Sequence, residues 1–155
     1  EITADGRVAC MGDTLMSGYW EDDELTHSVM PDGHTVVTND SGYIDAFGRL
    51  RLSGRNDDVI NVGGYKVAPT DVEDAAMGFA AVRDCVCVAA SHPVVGTVVK
   101  LLVVADGKLN CRELAKYLKT RLDAYQCPCM IEQVDSVNRT FNGKIDRKSY
   151  RNGNH

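Results

Sequence analysis

The segment from Ser53 to Glu73, SGRNDDVINVGGYKVAPTDVE, constrains the fold of this chain more than any other stretch. An arginine and two carboxylates, Arg55, Asp57 and Asp58, stand at its front. The β-branched run Val59-Ile60-Asn61-Val62 predicts a short strand. Gly63-Gly64 interrupts it, where glycine alone accepts φ > 0 or a close backbone approach without steric cost. Pro69-Thr70 stops the extended run. Asp71-Val72-Glu73 then opens a helix with acids in its first turn, as the macrodipole prefers. A charged joint, a strand, a glycine loop and a helix start therefore follow one another, and the rest of the chain divides around them.

Before the joint, residues 1 to about 53 read as all-β. Arg7 to Met11 is a short strand, and the acidic run Glu21 to Glu24 reads as a solvated turn. Pro31-Asp32-Gly33 is a turn by composition. Val36-Val37-Thr38 forms a strand leading into a second turn, Asn39-Asp40-Ser41-Gly42. Tyr43-Ile44-Asp45 and Leu50-Arg51-Leu52 flank a β-hairpin. After the joint the pattern is mixed. A helix over Asp71 to Phe79 places Val72, Ala75, Ala76 and Phe79 at helical spacing. The β-rich runs Val82 to Ala90 and Thr97 to Ala105 suit an antiparallel pair. Asn110 caps a helix whose stripe, Leu114, Tyr117, Leu118 and Leu122, extends to Ala124. Met130 to Val134 is a strand, Asn138 to Gly143 a polar loop, and Ile145 to Tyr150 a short basic helical end. The fold class is a small α+β domain with short antiparallel sheets and flanking helices, preceded by a β-rich segment.

The 155 residues are 44% hydrophobic and 25% charged, values of a globular chain, with only the polar end Arg151 to His155 expected to lack order. A net charge of −5 argues against a nucleic-acid surface. No apolar run is long enough for a membrane span. The six cysteines are Cys10, Cys85, Cys87, Cys111, Cys127 and Cys129. Two C-x-C pairs invite a zinc reading, but residues i and i+2 of a strand share a face, so Cys85 and Cys87 can both point into a core. The expectation is no metal, no disulfide, and six reduced, mostly buried thiols in a cytoplasmic protein. Thr140-Phe141-Asn142-Gly143-Lys144-Ile145-Asp146-Arg147 sets a glycine before a lysine on an exposed loop, free to project an ammonium into a cleft.

The order G-R-x-D-D-x-I-x-x-x-G-Y-K-[IV]-x-P-x-x-[IV]-E resembles the hinge of the adenylate-forming ligases, the superfamily of acyl-CoA synthetases, peptide-synthetase adenylation domains and luciferases. T-x-N-G-K-[IV]-D-R resembles their terminal motif. The resemblance implies a boundary at the hinge: residues 1–56 as the β-rich end of a large AMP-binding domain, residues 57–155 as the mobile C-terminal lid. Glu1 follows no initiating methionine, so the chain reads as an excised piece of a longer enzyme whose N-terminal domain is its first partner.

The resemblance also implies roles. Lys144 reaches the substrate carboxylate and the α-phosphate of ATP during adenylation. Asp40, in Thr38-Asn39-Asp40, accepts from the ribose hydroxyls, with Asn39 standing where the family has glycine. Arg55 is a second nucleotide contact and Asp57 the hinge. Gly63, Gly64 and Tyr65 line a tunnel for the pantetheine of CoA. Two further departures are Asp71 for the commoner glutamate, and Val137-Asn138 where Leu-Pro is usual. ATP, Mg2+ held mainly by the missing domain, and CoA are the implied cofactors. The implied function is ATP-dependent acyl-CoA synthesis from a carboxylic acid. The alternatives are an adenylation domain that loads a carrier protein and a non-catalytic module that kept the lid fold.

Overall fold

The computed structural model describes residues 1–151, and the chain divides into two compact units, Glu1–Asp57 and Asp58 onward. The expectation for the polar end falls outside the described residues apart from Arg151, which closes a helix.

The first unit is a three-stranded antiparallel sheet in the order β1 (Arg7–Met11), β2 (Thr35–Ile44), β3 (Leu50–Arg55). It is not all-β. The acidic run is the start of a helix, α1 (Asp23–Val29), whose N-cap Asp22 accepts from the Leu25 amide at 2.9 Å. Acids beside a helix N-terminus complete its free amides and oppose its dipole, so they serve as a helix signal here and not as a solvated turn. The expected turn over Asn39–Gly42 is also absent. Those residues continue β2, and no non-glycine residue other than Glu21 has a positive φ among the described residues. β2 is paired on both sides, so the irregularity is taken up as register shifts, between Arg7 and Ala9 opposite it and between Ser41 and Gly42 within it. Gly42 is needed for space: a Cβ there would stand 2.5 Å from the Arg51 carbonyl oxygen.

The second unit follows a 3-10 turn, Asn56–Asp58. The glycine pair is the tip of a hairpin joining β4 (Ile60–Val62) to β5 (Tyr65–Val67), a strand the sequence pattern had not suggested. Gly63 and Gly64 have φ of 57° and 93°, the left-handed pair that a two-residue hairpin turn requires. The helix α2 spans Pro69–Met77 and begins two residues before the expected Asp71, because proline suits the first helical position. β6 (Val82–His92) and β7 (Gly96–Ala105) pair antiparallel, and β8 (Met130–Gln133) adds to β7 in parallel. Between them α3 (Cys111–Leu118) ends before the expected Ala124. There the Thr120 hydroxyl and amide both bond to the Tyr117 carbonyl, and the Arg121 amide bonds to Leu118, so the turn tightens out of α geometry. The helix α4 (Arg147–Arg151) closes the described chain.

The β6–β7–β8 sheet is buried on both faces. Cys85, Cys87, Val99, Leu101 and Val103 point to one side, packed with Ile60, Val67, Val72, Ala76, Leu114 and Leu118 from the hairpin, α2 and α3. Val86 and Leu102 point to the other, packed with Val137, Val134, Ile145 and Tyr150 of the C-terminal segment. Among the described residues no helix is long and apolar enough to cross a membrane.

The thiols are less buried than expected. Only Cys85 and Cys87 are buried; Cys111 and Cys127 are half-buried, and Cys10 and Cys129 are exposed. The strand pair shares the core face as expected, whereas the second C-x-C pair lies in the connection entering β8, where no alternating core face is imposed. Burial, then the nearby Glu73, pushes the Cys85 thiol up to about 12, and the same causes raise Cys87. At pH 8 iodoacetamide should therefore label Cys10 and Cys129 of the folded chain within minutes, and Cys85 and Cys87 only after denaturation. Peptide mass mapping that finds Cys85 labelled as fast as Cys129 would contradict this packing.

Candidate functional site

The candidates of the first unit meet where β2 and β3 pair. Asp40 and Arg55 are directly opposed across the strands, with an Arg55 Nη1 to Asp40 Oδ1 distance of 3.9 Å. Arg55 Nη2 also stands 3.8 Å from Asp57, the last residue of the unit. All three side chains are exposed enough to meet a ligand. A carboxylate accepts at both oxygens and a guanidinium offers several donors, so the pair suits a diol and a neighbouring anionic or polar group.

In the second unit the hairpin tip is set by its backbone. The Asn61 side chain accepts from the Gly64 amide at 2.9 Å, and a Cβ on Gly63 or Gly64 would meet nothing within 4 Å. The glycines are therefore fixed by torsion, and the space around them is open. Tyr65 stacks on Tyr125 with ring centroids 4.7 Å apart and planes 16° apart, which holds the hairpin's exposed side.

Lys144 sits on an exposed loop closed by the Arg139–Ile145 bridge, by the Thr140 amide on the Lys144 carbonyl at 2.8 Å, and by the Gly143 amide on Thr140 at 2.9 Å. Gly143 has φ of 81°, which glycine takes without cost. Val137 and Asn138 anchor the loop where Leu-Pro is usual in the resembled family. Val137 is buried, the Asn138 amide donates to the Tyr150 hydroxyl at 2.7 Å, and its carbonyl accepts from Asp146. Proline has no amide to donate, so this departure exchanges a stiff ring for hydrogen bonds to α4.

The glycine hairpin and the lysine loop are not brought together. β4 and β5 pack into the cluster on one face of the central sheet, and Val137 and Ile145 into the cluster on the other. One rigid unit thus carries two candidate sites on opposite faces.

Sequence reasoning missed the residues that tie these parts to the sheet. Glu73, 7% exposed, accepts from the Cys87 amide at 2.8 Å, on the strand edge that β7 does not pair, and binds the Arg147 guanidinium. Arg147 also stands 3.8 Å from Asp58. Glu73 closes the hinge motif and Arg147 the lysine motif, so their common presence in the two motifs was the available signal. Arg139, an exposed arginine with no signal in the sequence, forms a two-pronged pair with Asp84 of β6.

Burial is the largest influence on Glu73 and raises it from the usual carboxylate value, against the lowering by the Cys87 amide and Arg147. A carboxylate raised in the folded state binds its proton more tightly there than when unfolded. Its contribution to stability is then complete below the unfolded value of 4.5 and is lost as pH rises through the folded one. From pH 4.5 toward neutrality the wild-type chain should therefore lose stability relative to Glu73→Gln, in urea melts at a series of pH values. A difference between the two that is constant with pH, or that moves the other way, would contradict the burial account.

Residues 71–144 match the family model of the AMP-binding enzyme C-terminal domain. A long-chain-fatty-acid–CoA ligase of Haemophilus influenzae is 35% identical over 147 residues, 94% of this chain and 26% of the relative. The amide bond synthetase McbA of Marinactinospora thermotolerans has a similar structure, with a TM-score of 0.86 at 33% identity over 94% of this chain and 30% of that one. The o-succinylbenzoate CoA synthetase MenE of Bacillus subtilis, in complex with its acyl-adenylate intermediate, gives 0.87 at 25% identity over 95% of this chain and 30% of that one. The chain spans about a quarter of the length of the curated relatives it matches.

Proposed function

We propose that this chain, which belongs to the AMP-binding enzymes and carries their C-terminal domain over residues 71–144, is the C-terminal part of an ATP-dependent acyl-CoA synthetase. The complete enzyme would activate a carboxylic acid as its acyl-adenylate with release of pyrophosphate, then pass the acyl group to the thiol of CoA. The names of the curated relatives, CoA ligases, favour CoA over a carrier protein as acceptor.

The observation that carries this reading is the placement of the lysine loop and the glycine hairpin on opposite faces of one sheet. A two-step ligase needs different groups at one cleft in succession, and a unit with two working faces supplies them by turning. In the first step negative charge builds where the carboxylate oxygen attacks the α-phosphorus. Lys144, a compact cation on an exposed loop, stabilises charge at that point. Asp40 would hold the ribose hydroxyls, with Arg55 beside it. In the second step the side-chain-free tip at Gly63 and Gly64, flanked by Tyr65, would admit the thin pantetheine arm. Asp57 ends one unit and Asp58 begins the next, within a 3-10 turn, and this boundary supports Asp57 as the residue about which the unit would turn. Mg2+ bound with ATP would be held mainly by the large domain, and the enzyme would work in the cytoplasm, where free thiols stay reduced.

In the complete enzyme Lys144→Ala should slow carboxylate-dependent ATP–pyrophosphate exchange by about two to three orders of magnitude. Given pre-formed acyl-adenylate, it should still make the thioester at near the wild-type rate. Asp57→Pro, which fixes φ and restricts Asn56 before it, should keep exchange and lose thioester formation. Equal loss of both half-reactions in both variants would overturn the two-face account.

A further inference from the structure

We propose that Arg139 is a positioning residue for Lys144 and that Asp84 is its anchor; this rests on the reading that Lys144 acts in adenylation. One Arg139 nitrogen, Nη2, donates to both Asp84 oxygens at 2.9 and 2.7 Å, and the other, Nη1, donates to the Gly143 carbonyl at 2.9 Å. A single planar fork thus ties the peptide immediately before Lys144 to strand β6. The anchor is itself fixed: Asp84 Oδ1 accepts from the Cys85 amide at 2.9 Å, beside the register shift between Val82 and Asp84. Strand alternation places Asp84 on the same face as Val86, the face against which Val137 and Ile145 pack at the two ends of the lysine loop.

The tie is not what holds the fold. The ends of the loop are secured by Val137, by Asn138 on Tyr150 and by the Asp146 amide on Asn138. Arg139 and Asp84 side chains remain 43% and 31% exposed, and exposed ion pairs add little to stability. The bonds of Thr140 to the Lys144 carbonyl and of Gly143 to Thr140 close the loop on itself, and what the fork adds is a tie from its tip to strand β6. A misplacement of about 1 Å at a reacting centre can cost about a hundredfold in rate. Lysine's ammonium, a hydrated point charge on a flexible stem, lacks the rigid planar fork that reaches the carboxylate and the carbonyl from two nitrogens.

The test uses the complete ligase with Arg139→Lys, Arg139→Gln, Asp84→Asn and the double variant Arg139→Gln/Asp84→Asn, with Lys144→Ala in parallel. Each single variant should lower kcat for pyrophosphate exchange by roughly 10- to 100-fold. Melting temperature and thioester formation from pre-formed acyl-adenylate should stay at wild-type values. The double variant should fall no further than the worse single one, since the two residues act as one tie. Wild-type exchange in the Arg139 and Asp84 variants, with exchange lost in Lys144→Ala, overturns the positioning role and leaves the reading of Lys144 standing. Equal loss of both half-reactions with a lowered melting temperature overturns it in favour of a structural role. Wild-type exchange in Lys144→Ala overturns both.

Discussion

The second unit depends on the burial of the β6–β7–β8 sheet on both faces. A sheet covered on both sides must be apolar at successive positions, and the runs Val82 to Ala90 and Val98 to Ala105 are nearly so. Strand alternation then sorts neighbouring residues to opposite sides: Cys85 and Cys87 under the helices, Val86 under the C-terminal segment. The hairpin with Gly63 and Gly64 is fastened to the first face and the Lys144 loop to the second. Everything proposed about the order of events follows from that division, because a rigid sheet cannot offer both faces to one point at once.

A buried carboxylate and its half-buried partner keep the division in register. Glu73 satisfies a Cys87 amide on the sheet's open edge and pairs with Arg147, which joins α2 to α4. An unpaired carboxylate or guanidinium in that position would be costly, so the pair is an all-or-none feature of the packed unit. Arg139 on Asp84 repeats the arrangement nearer the surface, where its effect falls on the geometry of one loop.

Local signals were legible and distant ones were not. The glycine turn, the antiparallel β6–β7 pair, the polar loop before Lys144 and the helix capped by Asn110 are each specified by adjacent residues. The acids at Glu21 to Glu24 misled because acidic residues suit both a solvated turn and a helix N-terminus; the Asp22 cap decides between them. Asn39–Gly42 has turn composition, yet pairing on both sides of β2 overrides it. Tyr65 to Val67 was too short a run to suggest a strand until the hairpin turn paired it with β4. The Glu73–Arg147 and Asp84–Arg139 pairs span 74 and 55 positions, and a charged side chain carries no local mark of its distant partner. For the candidate site, Asp40 beside Arg55 and the open glycine tip are geometric facts. The opposite-face arrangement depends on which core cluster each loop packs into, and residues distant in the sequence decide that.

The proposed rotation of the second unit about Asp57 presents first the lysine face and then the glycine face. It is tested most directly by a distance measured between the units during the two half-reactions. Spin labels at Phe141 beside the lysine loop and at Glu24 on α1, with Cys10 and Cys129 replaced, would report it in the complete enzyme by pulsed electron resonance. The account predicts one distance distribution with carboxylate and a non-hydrolysable ATP analogue, and a clearly separate one with a stable acyl-adenylate analogue and CoA. A single distribution common to both conditions would contradict it.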